Sequence, residues 1–263
     1  MPKVLVLVPF PMTPQERSNR EAQRHLVKLS PDTELEFRSV KAAPRTYVSH
    51  HDYIIADIGI FEAGLQAQKE GYDCICIDTM SDSGMNALRS VLDIPVIGPG
   101  RASMLTALML GDKFSVVAMW PHWAGLYKKT LYELNLQEKC VSVRWPEGLV
   151  PDNRNLLGGK EDIVLPKLYQ TAMRCIEEDG AEVICLGSTT MHQAHAYLQE
   201  RLPVPIINPG PLSYKMAETV VALKLAQSRK AYPSPMVPKE DMLHIMLDAA
   251  AKAEAGKPLE KLG

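Results

Sequence analysis

The sequence predicts an α/β fold of two similar lobes with parallel-sheet cores, related by a pseudo-two-fold, with the active site in the cleft between them. Three observations predict it. Strand-sized apolar runs alternate with helix-length segments along the chain, the pattern of parallel sheets covered by helices. Two ordered blocks recur: Asp73-Cys-Ile-Cys-Ile-Asp-Thr79 matches Glu182-Val-Ile-Cys-Leu-Gly-Ser188, and Pro95-Val-Ile-Gly-Pro-Gly100 matches Pro205-Ile-Ile-Asn-Pro-Gly210. The 263 residues are 46% hydrophobic and 23% charged, a globular composition that sets disordered and fibrous classes aside.

The elements follow in order. Residues 3–8 form a continuous apolar run ending at Pro9, as expected of a strand buried on both faces. A helix is predicted over 17–29 and a strand over 35–39. Ser49-His-His-Asp52 has the spacing of a capping box and opens a helix to about residue 70, with Gly71 as its C-terminal cap. A strand at 73–78 leads through a hydroxyl-rich loop to a helix at 85–92. After a strand at 94–97, Gly98-Pro-Gly100 opens a helix to residue 110. The alternation then restarts with strands at 113–119 and 141–144 and a helix over 162–179 closed by Gly180. A strand at 182–187, a helix at 191–201, a strand at 204–207 and a helix at 216–229 follow. The Pro-rich 232–238 segment is predicted as a surface connection, and 240–255 as a final amphipathic helix.

The repeat carries the functional expectation. Thr79 and Ser188 are 109 residues apart, Pro95 and Pro205 are 110 apart, and Ser103 falls opposite Ser213. One lobe is expected at 1–100 with 208–263 and the other at 101–207. Ligands of open α/β sheets bind beyond the carboxyl ends of the strands. Thr79 and Ser188 sit directly after matched strands, so they are predicted to face each other across one cleft.

Bulk properties exclude several classes. A formal charge of −2 gives no basic footprint for nucleic acid or an anionic membrane. The apolar stretches are too short to span a bilayer. Met1-Pro2-Lys3 runs straight into a strand without a leader's cleavage site. The five cysteines are odd in number and lack CxxC spacing, which predicts reduced thiols and a cytoplasmic location. Cys76 and Cys185 match in the repeat but lie inside strands, where core thiols are expected. His50 and His51 face apart on a helix, no zinc spacing occurs, and neither a GxGxxG after a strand nor a Walker A sequence is present. No cofactor and no metal are expected, and the expected partner is a small-molecule substrate.

The two matched loops supply the candidate chemistry. Thr79, Met80 and Ser81 in one, and Ser188, Thr189 and Thr190 in the other, precede helices. Helix N-termini offer unpaired N–H groups suited to a carboxylate or an enolate-like oxyanion. Capping is the competing role for each hydroxyl taken singly. His192, one helical turn after Ser188, and Asp82 or Asp78 beside Thr79 are candidate bases. His122, with Trp120 and Trp123, and Tyr214, with Lys215, follow predicted strands and are candidate cleft residues. Core packing for the aromatics and a solvent-facing helix start for Tyr214 are the alternatives.

The stretch Gly71-Tyr-Asp-Cys-Ile-Cys-Ile-Asp-Thr-Met-Ser-Asp-Ser-Gly-Met85 resembles the Asp/Glu/hydantoin racemase superfamily. So do Leu92-Asp-Ile-Pro-Val-Ile-Gly98, Phe114-Ser-Val-Val117, Ala181-Glu-Val-Ile-Cys-Leu-Gly-Ser188 and Val204-Pro-Ile-Ile207. The resemblance runs to about residue 225 and is greatest to the hydantoin and allantoin racemase branch. Ser49 and Asp52 resemble the family's serine and aspartate ahead of the second helix. The resemblance implies a cofactor-independent homo-oligomeric enzyme. Two cleft cysteines would exchange a proton at a carbon next to a carbonyl, on a small carboxylate, lactone or cyclic ureide. The chain departs at the decisive place: Thr79 and Ser188 stand where the family's cysteines are expected. The first loop is also altered, to Val8-Pro-Phe-Pro-Met12, which makes Phe10 a candidate substrate contact. A thiol of pKa about 8.5 can act as a base near neutrality, whereas an aliphatic hydroxyl needs help. Isomerase-like chemistry therefore competes with a divergent hydrolase, decarboxylase or lyase using these hydroxyls, and with a binding protein that has lost catalysis.

Overall fold

Among the described residues, eight parallel strands form two sheets of identical strand order. β1 (Lys3–Val8), β2 (Glu34–Ser39), β3 (Cys74–Ile77) and β4 (Val96–Ile97) lie in the order β2-β1-β3-β4. β5 (Phe114–Val117), β6 (Cys140–Arg144), β7 (Val183–Leu186) and β8 (Ile206–Ile207) lie in the order β6-β5-β7-β8. The structure is a computed structural model that describes residues 2–44, 47–149 and 161–255. Met1, on which the leader expectation partly rests, and the last residues of the 208–263 segment lie outside the described residues.

β1 shows why the sheets are buried on both faces. Side chains alternate along a strand, so Leu5 and Leu7 pack with Ile75, Ile77, Ile60 and Leu88 on one side. Val4, Val6 and Val8 pack with Cys74, Cys76, Tyr214 and Ala217 on the other. The first side is covered by α2 (His50–Gly64) and α3 (Met85–Val91). The second is covered by α8 (Pro209–Ala222), which follows β8 in the chain but packs on β3. α4 (Pro99–Leu110) makes the reciprocal exchange: it follows β4 and packs on β7 and on α8. The repeat shows through at atomic level, because the Cys76 thiol donates to Ser213 O at 3.4 Å and the Cys185 thiol to Ser103 O at 3.7 Å. Both thiols are fully buried.

Several boundaries differ from the sequence-based expectation, for local reasons. α1 (Pro14–Glu21) starts earlier than residue 17, because Thr13 and Glu16 form a capping box and Pro14 takes the first turn. A 3₁₀ turn, Ala22–Leu26, finishes that segment. α2 opens at the expected Ser49–Asp52 box but stops at Gly64, with turns leading to Gly71 at φ 84°. α8 begins at Pro209, not 216: Asn208-Pro-Gly210 acts as Gly98-Pro-Gly100 does for α4. It closes at Ala222 because Lys224 takes φ 55° and Leu225 N–H returns to Val220 O. The 191–201 helix is a 3₁₀ turn, Thr189–Gln193, followed by α7 (Ala194–Gln199). α5 (Ala124–Leu134) was not expected, although Leu126, Tyr127, Thr130 and Leu131 bury one helical face. α6 (Glu161–Glu177) and α9 (Glu240–Glu254) fall where expected. Among the described residues no helix is long and apolar enough to cross a membrane.

One close approach sets the loop after β3. The Asp82 carboxylate accepts Gly100 N–H at 2.8 Å and Arg101 N–H at 2.7 Å, capping α4 from across the loop. A Cβ on Gly100 would lie 2.3 Å from Met80 O. Backbone leaves no soft side chain to yield. Gly100→Ala is expected to lower unfolding free energy by about 1–3 kcal/mol, the usual range for overpacking a filled site. Urea denaturation of both proteins checks this.

Candidate active-site cleft

The two lobes enclose an open cleft whose empty space, counted out into solvent at its mouth, is about 460 Å³. Pro9 and Phe10 after β1, Arg20 of α1, Tyr47, and Asp78, Thr79 and Met80 after β3 line it from one lobe. Trp123, Leu126, Gly187, Ser188, Thr189 and Thr190 line it from the other. The matched hydroxyls therefore share one cleft. Each is backed by a second hydroxyl two residues on: Thr79 Oγ1 lies 3.1 Å from Ser81 Oγ, and Ser188 Oγ lies 2.6 Å from Thr190 Oγ1. Ser81 continues to Ser83 at 2.7 Å. Thr190 N–H donates to Ser188 Oγ at 3.2 Å, so Ser188 also caps the 3₁₀ turn that follows it.

A buried ion pair forms the floor. Arg20 Nη1 donates to Asp78 Oδ2 at 2.9 Å and to Thr189 Oγ1 at 2.8 Å. Thr189 Oγ1 in turn donates to Asp78 O at 3.1 Å. Arg20, Asp78 and Thr189 are all buried, so the contact ties α1 and the β3 end to the opposite lobe. Burial pushes the Asp78 carboxyl above its ordinary value and outweighs the nearby guanidinium, which pulls it down. The Arg20 guanidinium also stands 5.0 Å from the centre of the Phe10 ring. Tyr127 OH donates to Gly187 O at 2.7 Å, and Tyr47 OH donates to Pro9 O. These bonds fix the backbone on either wall.

The remaining candidates are placed elsewhere. Asp82 is fully engaged as the cap of α4, and burial pushes its carboxyl up to about 6. Its side chain is spent on backbone N–H groups behind the cleft floor. The ring of His192 meets Thr189 O through Nδ1 at 3.0 Å rather than Ser188. The 3₁₀ geometry of the turn replaces the expected α-helical one, and burial lowers that imidazole to about 4. Ser49 is an exposed cap of α2 and His122 is exposed beside Trp120. Tyr214 is buried, not solvent-facing, and its OH has no hydrogen-bond partner among the described residues. Arg20, Tyr47 and Leu126 were not foreseen as cleft residues. Arg20 and Asp78 are 58 residues apart, and nothing local in the sequence links them. For Leu126, the helical spacing from Trp123 was an available signal.

Comparisons with known proteins agree with this architecture. A sequence model of the Asp/Glu/Hydantoin racemase family matches residues 16–217. A hydantoin racemase of Pseudomonas sp. (strain NS671) is 32% identical over 206 residues, which span 78% of this chain and 81% of that protein. A hydantoin racemase of Paenarthrobacter aurescens is 28% identical over 200 residues, 73% of this chain and 80% of its own. Among solved structures, allantoin racemase from Klebsiella pneumoniae superimposes with a TM-score of 0.80 at 26% identity, covering 90% of this chain and 95% of that one.

The His192 environment has a measurable consequence. An unfolded imidazole gains its proton near 6.5, but the folded one holds off to about 4. The folded state therefore loses stability as pH falls through that window, by about 3 kcal/mol at most. Asp82, with a raised carboxyl, works in the opposite direction at overlapping pH, but it is common to both proteins in a comparison. His192→Gln should therefore gain on the parent by that amount between pH 7 and pH 4, as read from paired thermal or urea melts. A pH-independent gap between the two would contradict the assignment.

Proposed function

The chain belongs to the Asp/Glu/hydantoin racemase family, and from that premise we propose a cofactor-independent enzyme that exchanges a proton at a carbon next to a carbonyl. The proposed substrate is a small cyclic ureide, carboxylate or lactone. One observation supports this most: equivalent hydroxyls, Thr79 and Ser188, line one cleft from opposite lobes, each backed by another hydroxyl. The resemblance puts the family's two cysteines at these places. A hydroxyl is too weakly acidic to replace a thiolate as base, so the pair acts as hydrogen-bond donors. Their protons meet the carbonyl oxygen and hold it as charge develops there on enolisation. Proton removal is assigned to Asp78, the carboxylate among the residues lining the cleft. Burial makes its carboxyl more basic than an ordinary aspartate, and Arg20 holds its Oδ2 in place at the end of β3. The lobes are taken as 1–100 with 208–263 and 101–207, a division supported by the exchanged packing of α4 and α8.

A second reading is favoured by one feature. Neither hydroxyl has a His, Lys or carboxylate hydrogen-bond partner among the described residues. Loss of carbon dioxide from a carboxylate beside the same carbonyl needs enolate stabilisation and no base to start it. The same feature argues against a base-activated hydroxyl nucleophile, which needs such a partner.

Incubation with 5-substituted hydantoins in D₂O separates the reactions. Deuterium entry at the ring carbon, with no other mass change, is the expected outcome; mass loss from an added carboxyl marks decarboxylation. Thr79→Ala and Ser188→Ala are each expected to lower the exchange rate about 100-fold or more, as for loss of one oxyanion donor. Full activity in both variants would remove the hydroxyl pair from the mechanism.

A further inference from the structure

The guanidinium of Arg20 is only half used by the protein. Nη1 serves both Asp78 Oδ2 and Thr189 Oγ1. Nε and Nη2 have no partner among the described residues. Neither atom is sealed from solvent, unlike the Nε of Arg101. Arg20 lines the cleft, and this edge is left for a ligand by the protein's own hydrogen bonds. The Arg20 guanidinium carbon stands 5.0 Å from the centre of the Phe10 ring, a cation–π contact that helps to hold it. Asp78 and Thr189 fix its position, so little side-chain entropy remains to be lost when a ligand binds.

We propose that Arg20 is the anchor for a carboxylate on the substrate, which makes the substrate a small carbonyl compound bearing a carboxylate rather than a neutral ring. The inference rests on the reading of this cleft as the catalytic site and narrows its substrate class. A guanidinium presents parallel N–H donors that match the two oxygens of a carboxylate. Arg20 and Asp78 are the charged side chains among the lining residues, so no second cation competes for the anion. The hydroxyls of Thr79 and Ser188 remain for the carbonyl oxygen. An arginine that merely joined the two lobes would have no need of an open edge and would not discriminate between ligands by charge.

The test compares hydantoin-5-acetic acid with its primary amide, two probes of nearly equal size that differ by one charge. Calorimetric titration of the full chain is expected to show the acid binding about 10-fold tighter or more, the scale of a charge-assisted hydrogen bond. The double variant Arg20→Gln/Asp78→Asn removes both charges together and avoids an uncompensated buried carboxylate. Its acid-over-amide preference is expected to vanish. Equal binding of the two probes by the parent protein, or no binding of either, overturns the anchor whether or not the variant folds. A preference that survives in the folded double variant also overturns it. Deuterium exchange followed on the same probes keeps the two claims apart. Exchange without acid preference removes the anchor and leaves the reaction. An Arg20-dependent preference without exchange supports the anchor and removes the reaction.

Discussion

The contact among Arg20, Asp78 and Thr189 is the constraint on which the site depends. It joins a helix of the first lobe, the end of the central strand of the same lobe, and the loop after the equivalent strand of the other. A buried ion pair is a weak source of net stability, because desolvation consumes much of the Coulombic gain. Its consequence here is geometric. With either partner missing, a buried charge would be left uncompensated, at about 3–5 kcal/mol. The folded chain is thus restricted to arrangements in which α1, β3 and the loop after β7 converge. That convergence holds Thr79 and Thr189, and with them Ser188, on the walls of one cleft.

The pseudo-symmetry is faithful in the sheets and broken in the loops. Strand orders match, α4 and α8 exchange lobes in the same way, and the Cys–Ser contacts are paired. At the ends of the strands the copies diverge. One loop turns its acid, Asp82, back to cap α4, whereas the residue at the matched position in the other loop is the buried Met191. The sheets tolerate little change because each strand is packed on both faces. Loops answer to fewer neighbours, so chemistry can differ between halves while the frame stays the same. The ion pair belongs to the divergent part: it gives the cleft a charged floor on one side and a hydroxyl-lined wall on the other.

Much of the frame was legible in the sequence because it follows from local rules. The apolar run at Val4 to Val8, the capping box at Ser49 and Asp52, and the Pro-Gly start of α4 each state their structure within a few residues. The miss at α8 is informative, because Asn208-Pro-Gly210 carries the same start signal as Gly98-Pro-Gly100 of its partner. Of the site, Thr79, Met80, Ser188, Thr189, Thr190 and Phe10 were within reach, since the repeat and the rule of strand ends locate them. Asp82 and His192 were expected from their nearness to Thr79 and Ser188, Ser49 from the family resemblance, and Tyr214 from its place after a predicted strand. The structure turns each of them toward backbone, solvent or core, because side-chain direction depends on turn type and packing.

The sequence alone determined the two-lobed α/β frame, the racemase-type family resemblance and the position of the matched hydroxyls. Its periodicity, its turn residues and its 109-residue repeat are properties of neighbouring or equivalent positions. Tertiary structure alone decided which charged groups meet at the cleft. Arg20 and Asp78 pair across 58 residues and reach Thr189 across a further lobe, a meeting set by chain folding and sealed by burial. Electrostatics inside a protein depends on distance in space and on exclusion of water, and neither is written in the order of residues.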